Sequence, residues 1–189
     1  GRANGIMGQE KQLVLKEVVE AQRHGIIFDC AHGRNHFSFP MIEKALDQGF
    51  LPDTISTDLT LTNYRHITID MPTTLTKFMA FGLSLEQVLQ RATIAPARML
   101  PADRGHGRLA EGLPADLALF ALESGEFTYE GYFGDRLQAT RRLVSRGTLR
   151  QGRLLTPEAQ EPMVAPVTKY ANGRLVKTGG GVEARVLKS

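Results

Sequence analysis

Hydrophobic positions in the first half of the chain follow two alternating patterns. Residues 9–24 and 38–49 space apolar side chains for one face of a helix. The short apolar segment 26–29 follows the first helix and is typical of a strand buried on both faces. The β-rich segment 53–58 follows the second helix and predicts a second strand. Helix and strand therefore alternate, which predicts βαβ units and a parallel sheet in the α/β class.

Serine residues mark the predicted starts of two helices. Ser38 precedes the second helix and is expected to cap its exposed amide groups. Ser84 and Gln87 have the spacing of a capping box, in which each side chain bonds to the backbone of the other residue. This spacing predicts a helix over 84–93, directly after another helix over 73–82.

Two loops, 29–38 and 57–70, each follow a predicted strand. The carboxyl ends of parallel strands meet at one edge of a sheet, and ligands bind in the loops that gather there. We therefore expect both loops to lie on the same face and to carry the chemistry of this chain.

The pattern changes after Pro101. Residues 108–155 combine glycine-containing turns with alternating apolar and polar positions, which is typical of short strands. Residues 156–189 contain prolines and a triple glycine without a clear period. We expect three parts: a barrel-type segment over 1–107, a β-rich subdomain over 108–155 and a loosely attached tail over 156–189.

Composition fits an ordinary globular protein, with 42% apolar and 23% charged residues. The net charge of +3 is mild and the late basic stretches lack interleaved aromatic residues, so we expect no nucleic-acid partner. Apolar runs are too short to cross a bilayer, and we expect no membrane partner. The single cysteine rules out an internal disulfide and fits a reducing cytoplasm, which is the expected location.

Asp58 ends the second predicted strand. A carboxylate at the carboxyl end of a parallel strand is placed to bind a metal ion and to take a proton from water. The same position also favours an aspartate that only caps or stabilises a turn, and position alone does not separate the two interpretations. His66 lies in the loop that follows, where it either lines the same pocket or caps the loop.

The loop after the first strand contains Cys30, His32, Gly33 and His36. The H-x-x-x-H spacing would place both imidazoles on one helix face, as in zinc proteases, but a glycine lies between them and the segment leaves a strand. A substrate loop is the alternative, in which the backbone at Gly33 approaches a ligand and His32 donates a hydrogen bond. A third interpretation is that the histidines satisfy local backbone groups. Cys30 has no neighbouring base and is interpreted as a buried structural thiol.

Four segments resemble the amidohydrolase superfamily in both order and content. They are residues 29–39, 45–59, 70–100 and 107–120, and they are most similar to the branch of dihydroorotase-like amidohydrolases and deacetylases. The most specific motifs are PDTISTD and a T-x-x-PA that is followed by G-x-x-ADL. The resemblance covers residues 1–150.

This resemblance implies a (β/α)8 TIM-type barrel that carries one or two zinc ions beside a small β-sandwich. In the superfamily, the aspartate of strand eight binds metal and acts as general base on the bridging water, and this role falls on Asp58. Asp29, His32 and Gly33 match the D-x-x-HG after strand seven, in the region that faces the substrate. The implied activity is hydrolysis of an amide bond in a small molecule, either an N-acyl group or a cyclic amide, by metal-activated water.

The superfamily's other metal ligands belong to strands that precede the two found here. A barrel of this kind needs about 250 residues, and the chain has about two of the eight βα units. We therefore expect the C-terminal portion of a longer enzyme, strands seven and eight, with the missing N-terminal barrel segment as its partner. The complete enzyme is expected to be a homo-oligomer.

A non-catalytic chain is the alternative to an enzyme. Asp58 alone cannot hold a catalytic zinc, because such an ion is bound by about three protein ligands. Under this interpretation the chain acts only by association with the missing segment or with another partner. The substrate is not encoded in these residues, because loops over all eight strands select it.

Overall fold

The computed structural model describes residues 14–34, 36–61, 63, 67–100, 105–155, 168–171 and 174–177. They divide into two compact units, one within 1–155 and one within 156–189. In the first unit, helices and parallel strands alternate and an antiparallel sheet follows, which confirms the α/β class. His66 lies outside the described residues.

Two short parallel strands form the first sheet. The elements in chain order are helix α1 (Lys16–Arg23), strand β1 (Asp29–Ala31), helix α2 (Phe39–Asp47) and strand β2 (Thr54–Ser56). Cys30 lies opposite Ile55 in the register of this pair. The predicted helix–strand–helix–strand order is therefore confirmed, and the two strands are parallel as the alternation requires.

The first strand begins later than the predicted segment 26–29. Gly25 takes a φ of 89° after α1, and the backbone N–H of Ile26 donates to the carbonyl of Ala21 over 3.0 Å. A second bond, from Gly25 N to Gln22 O, completes a Schellman motif that ends the helix. Ile26 thus belongs to the end of the helix and is 56% exposed. The prediction that it begins a buried strand was therefore wrong.

Three further helices are α3 (Met71–Ala80), α4 (Leu85–Ala92) and the short α5 (Ile94–Ala97). The predicted capping box is confirmed, because Ser84 Oγ accepts from Gln87 N and Gln87 Oε1 accepts from Ser84 N. Ser38 occupies the N-cap position of α2, but its side chain makes no capping bond. The amide of Phe39 instead donates to Oδ2 of Asp135 over 3.0 Å, so this part of the prediction was wrong.

The β-rich segment forms one antiparallel sheet in the order β3-β4-β5. Its strands are β3 (Leu117–Glu130), β4 (Arg136–Arg150) and β5 (Arg153–Leu155). All three lie within the predicted stretch 108–155. The β-sandwich that the resemblance implies stays a prediction, as do the three domain boundaries.

Helix α3 packs against both sheets of the first unit and supplies the centre of the core. The buried cluster consists of Phe37, Phe39, Ile55, Leu75, Phe78, Leu83, Val88 and Leu143. A hydrogen bond of 2.9 Å from Leu143 N to Thr76 Oγ1 also ties strand β4 to the helix. Because α3 lies against β2, its side chains reach the loops at the carboxyl ends of the parallel strands.

The second unit contains a two-stranded antiparallel hairpin. Its strands are β6 (Thr168–Ala171) and β7 (Arg174–Lys177). Among the described residues of the whole chain, no helix has the length and apolar content needed to cross a membrane.

Candidate functional site

The carboxyl ends of β1 and β2 bring the two candidate loops together. Pairing continues past the strands, because His32 N donates to Ser56 O over 3.0 Å and Gly33 N donates to Thr57 O over 2.9 Å. Gly33 is thereby held next to the residue that precedes Asp58. The two loops lie at one edge of the sheet, as the parallel arrangement predicts.

Gly33 and Asp58 are in close contact. A Cβ atom at position 33 would lie 2.6 Å from Asp58 Oδ2 and 2.6 Å from Cδ2 of His36. The φ of Gly33 is 53°, in the left-handed region where glycine carries no steric cost. A glycine is therefore required here both by backbone conformation and by the approach of the carboxylate.

The Asp58 carboxylate is accessible, with 44% of its side chain exposed. Its backbone has a φ of 44°, unusual for a residue other than glycine. His36 Nε2 lies 3.8 Å from Oδ2, close enough for a favourable electrostatic contact when the ring is protonated. Asp58 thus offers a carboxylate that can bind a metal ion or accept a proton, and the imidazole of His36 lies beside it.

Asn63 holds the backbone of Asp58 from the following loop. Its Nδ2 donates to Asp58 O over 2.9 Å, and its Oδ1 accepts from Thr60 N over 2.7 Å. Asn63 is 1% exposed, and its own carbonyl accepts from Thr68 N over 3.1 Å. Sequence analysis missed this residue, although an asparagine in a loop that follows a strand is a known turn signal.

His32 is fully buried, and both of its ring nitrogens are engaged within the chain. Nε2 lies 2.9 Å from Lys77 Nζ, and Nδ1 lies 3.0 Å from Gly33 O. Because lysine donates to Nε2, the proton of the neutral ring sits on Nδ1 and is donated to the Gly33 carbonyl. The ring also stacks on Phe37, with centroids 4.2 Å apart.

Two causes lower the pKa of His32 to about 4: burial first and the charge of Lys77 second. The ring is therefore neutral at physiological pH. Its enclosure does not favour the predicted contact with a substrate, which stays a prediction. Both nitrogens of His32 already contact groups of the chain, so the buried ring does not favour the zinc interpretation of the H-x-x-x-H spacing.

Lys77 is the residue beneath this site that sequence analysis missed. It lies on α3, is 1% exposed, and donates from Nζ to Ile67 O as well as to His32. Nζ also lies 5.8 Å from the ring centres of Phe39 and Tyr129. Burial lowers the pKa of Lys77 to about 8, against the opposing effect of the Asp70 charge. A lysine between apolar residues in the stretch LTKFMAF was the available signal.

Asp58 is the one expected metal ligand that the described residues provide. These residues contain no group of three or more His, Cys, Asp or Glu side chains arranged to hold a metal ion. Zinc commonly takes three or four protein ligands, so the arrangement here fits one side of such a site and not the whole of it. Asp58 with its exposed carboxylate suits that partial role.

A cavity of about 410 Å³ lies beside β1. It is lined by Asp29 and His36 and by apolar side chains that include Ile42, Phe50 and Phe78. The Asp29 carboxylate accepts from the hydroxyls of Thr54, over 2.7 Å, and Ser56, over 2.5 Å. The cavity therefore combines an apolar wall with two polar residues, Asp29 at the start of β1 and His36 in the loop that follows the strand.

Cys30 also lines this cavity and packs against the core. Burial, with a smaller effect of the Asp29 charge, raises the pKa of its thiol to about 12. The thiolate is therefore absent at neutral pH, which agrees with the interpretation of Cys30 as a structural residue.

Solved structures are similar to this chain in fold and sequence. A crystal structure of an adenine deaminase aligns with a TM-score of 0.77 and 28% identity, covering 82% of this chain and 42% of that one. A crystal structure of a dihydroorotase aligns with a TM-score of 0.66 and 28% identity, covering 74% of this chain and 38% of that one.

Curated relatives are described as deacetylases. One from Enterococcus faecalis is 31% identical over 129 residues, which are 68% of this chain and 35% of the relative. One from Brucella anthropi is 28% identical over 170 residues, which are 90% of this chain and 42% of the relative. The chain thus spans less than half the length of these relatives.

The family assignment rests on a match over most of the chain. Residues 15–174 match the Amidohydrolase family, and the resemblance seen in the sequence motifs is thereby confirmed. The chain belongs to the amidohydrolase family.

Proposed function

We propose that the chain supplies the catalytic aspartate of a hydrolase that cleaves an amide bond in a small molecule. The observation that carries the proposal is the position of Asp58, whose accessible carboxylate lies at the carboxyl ends of two parallel strands and against Gly33. Family membership and relatives described as deacetylases support hydrolysis of a C–N bond. The bond is either an N-acyl bond or that of a cyclic amide.

Asp58 acts as the proton carrier in this reaction. Its carboxylate takes a proton from the attacking water, whose oxygen bonds to the acyl carbon, and returns that proton to the nitrogen as the C–N bond breaks. The carboxylate is accessible, with 44% of its side chain exposed, as proton exchange with a water requires. The imidazole of His36 lies beside it, with Nε2 3.8 Å from Oδ2 of Asp58.

Zinc, as one or two ions, is the proposed cofactor, and Asp58 would hold one side of it. Such an ion, when bound, supplies Lewis-acid polarisation of the acyl group and lowers the pKa of water. The other ligands would come from outside the described residues.

The parallel pair is proposed to be strands seven and eight of a (β/α)8 barrel in the C-terminal portion of the enzyme. Among the described residues, β1 pairs with β2 alone, and the other barrel strands would cover its second edge. Those strands are the proposed partner of this chain, and the complete enzyme is proposed to be a cytoplasmic homo-oligomer. Its proposed ligand is a small molecule rather than a nucleic acid or a membrane.

Asp58→Asn in the full-length protein tests the assignment. The probes are a set of N-acetyl amino acids and a set of cyclic amides, which also separates the two bond types. We expect kcat/KM to fall by ~10²–10⁴, because that is the usual contribution of a general base. Bound zinc is measured in the same samples by elemental analysis, since a ligand role would also reduce it.

Asp47→Asn is the matched control, because Asp47 is an exposed aspartate at the end of α2. It should leave turnover and zinc content unchanged. Near-normal turnover in Asp58→Asn would overturn the proposed role. A wild-type protein that binds no zinc and hydrolyses neither set of probes would favour the non-catalytic alternative.

A further inference from the structure

We propose that Lys77, His32 and Thr68 are positioning residues that brace the backbone at Gly33 and thereby hold the Asp58 carboxylate in place. This inference rests on the proposed catalytic role of Asp58. None of the three side chains is placed to touch a substrate, because each is at most 1% exposed. They act through a hydrogen-bond network that joins helix α3 to both loops.

The first arm of the brace runs from the helix to Gly33. Lys77 Nζ donates to His32 Nε2 over 2.9 Å, which leaves the proton on Nδ1. Nδ1 then donates to Gly33 O over 3.0 Å. Without a donor at position 77, the ring proton is no longer held on Nδ1. The lysine therefore determines whether Nδ1 of His32 donates to the Gly33 carbonyl.

The second arm runs through the loop after β2. Thr68 Oγ1 donates to Gly33 O over 2.5 Å, and Thr68 N donates to Asn63 O over 3.1 Å. Asn63 Nδ2 in turn donates to Asp58 O over 2.9 Å. Thr68 is therefore bonded to the carbonyl of Gly33 and, through Asn63, to the carbonyl of Asp58.

The network forms a closed circuit around the two loops. Gly33 N donates to Thr57 O over 2.9 Å, which joins the two strand ends. Because a misplacement of about 1 Å at a catalytic group can cost about 10²-fold in rate, a brace of this kind should appear in kcat.

Thr68 provides the sharpest variants. Thr68→Val removes the hydroxyl and keeps the shape of the side chain, whereas Thr68→Ser keeps the hydroxyl. Thr74→Val is the matched control, because Thr74 is also fully buried and donates to a backbone carbonyl, that of Asp70, over 3.0 Å. Each is made in the full-length protein and assayed on the N-acetyl amino acid or cyclic amide that the wild type hydrolyses fastest.

We expect Thr68→Val to lower kcat by ~10–100-fold while KM changes by less than about threefold, because the substrate contacts are unaltered. Thr68→Ser should restore kcat to within about threefold of wild type, and Thr74→Val should stay within about twofold. Equal losses in Thr68→Val and Thr74→Val, or no rescue by serine, would overturn the brace.

A second readout does not depend on activity. With histidine and backbone ¹⁵N labels, NMR should show His32 as the Nδ1–H tautomer in wild type and a change at both ring nitrogens in Lys77→Met. The amide signals of Gly33 and Asp58 should move in Thr68→Val and not in Thr74→Val. Unmoved signals overturn the brace, whereas moved signals with an active Asp58→Asn would retain the brace and remove only the catalytic role of Asp58.

Discussion

Gly33 and Asp58 face each other at the ends of adjacent strands, and both adopt a positive φ, 53° and 44° respectively. The space of a Cβ at Gly33 is taken up by Oδ2 of Asp58, which would lie 2.6 Å from it. The carboxylate and the glycine therefore cannot be changed independently. The conformation of one loop determines where the acidic group of the other can lie.

Gly33→Ala should damage activity much more than stability. The atoms that a methyl group would meet are the ends of two side chains, Asp58 and His36, which can move aside. We expect kcat/KM to fall by ~10²-fold because the carboxylate is displaced. The free energy of unfolding should fall by about 1–2 kcal/mol, the cost of a left-handed conformation for alanine. Steady-state kinetics and urea titration provide the two measurements.

Gly49→Ala is the control for that experiment. Gly49 has a φ of 77°, and a Cβ there would meet nothing within 4 Å. It should lose a similar amount of stability and retain activity. A loss of turnover in Gly49→Ala as large as in Gly33→Ala would mean that backbone strain, and not displacement of Asp58, explains both.

His32 should make the protein less stable in mild acid. Burial and the neighbouring Lys77 charge lower the pKa of His32 from 6.5 to about 4 in the folded state, so the unfolded state binds its proton first. The contribution of the neutral ring is fully present above about pH 6.5 and is lost progressively as pH falls toward 4. Its full size is roughly 3 kcal/mol.

Urea titrations from pH 7 to 4 measure this effect as a difference between wild type and Lys77→Met. Removal of the lysine charge removes one of the causes that depress the pKa of His32, so the variant should lose less stability across this range. Subtracting one free energy of unfolding from the other removes the contribution of groups that titrate alike in both proteins. Parallel curves for the two proteins would show that Lys77 does not act on the ring.

Local patterns predicted the elements of this fold well because their causes are local. Apolar periodicity identified α2, the β-rich stretch 53–58 identified β2, and the spacing of Ser84 and Gln87 identified the start of α4. The position of Asp58 at a strand end predicted that it would lie beside the preceding loop. The helix and strand predictions depend on residues only a few positions apart, and the placement of Asp58 needs in addition only the rule that parallel strands end at the same edge of a sheet.

The interior of the site depends on distant residues, and the sequence alone did not reveal it. Lys77 contacts His32 across 45 positions, and Asp135 reaches Phe39 across 96. A histidine next to a glycine in a loop is expected to face solvent, and only the contact with Lys77 shows that His32 is covered. Asn63 and Thr68 likewise acquire their roles only when the loop closes on Gly33.

Cys30 should be unreactive in the folded protein. The pKa of its thiol, raised to about 12 by burial, leaves very little thiolate at pH 8. Because Cys30 is the only cysteine of the 189-residue chain, reaction with a chromogenic disulfide reports on it alone. We expect the rate in the folded protein to be at least ~100-fold below that of a free thiol. In urea the rate should rise to that of a free thiol. Fast labelling without denaturant would contradict a structural role.

Asp135 should stabilise the protein by capping helix α2, although it lies 96 positions from Phe39 in the sequence. Its Oδ2 accepts from the amide of Phe39 at the start of α2 over 3.0 Å, whereas Ser38 makes no side-chain cap there. Asp135→Ala should therefore lower the free energy of unfolding by about 1–2 kcal/mol, and Asp135→Asn, which keeps an acceptor oxygen, by less. Ser38→Ala is the matched control and should change it by less than about 0.5 kcal/mol. Urea titration followed by circular dichroism measures all three, and a Ser38→Ala loss as large as that of Asp135→Ala would return the capping role to the serine.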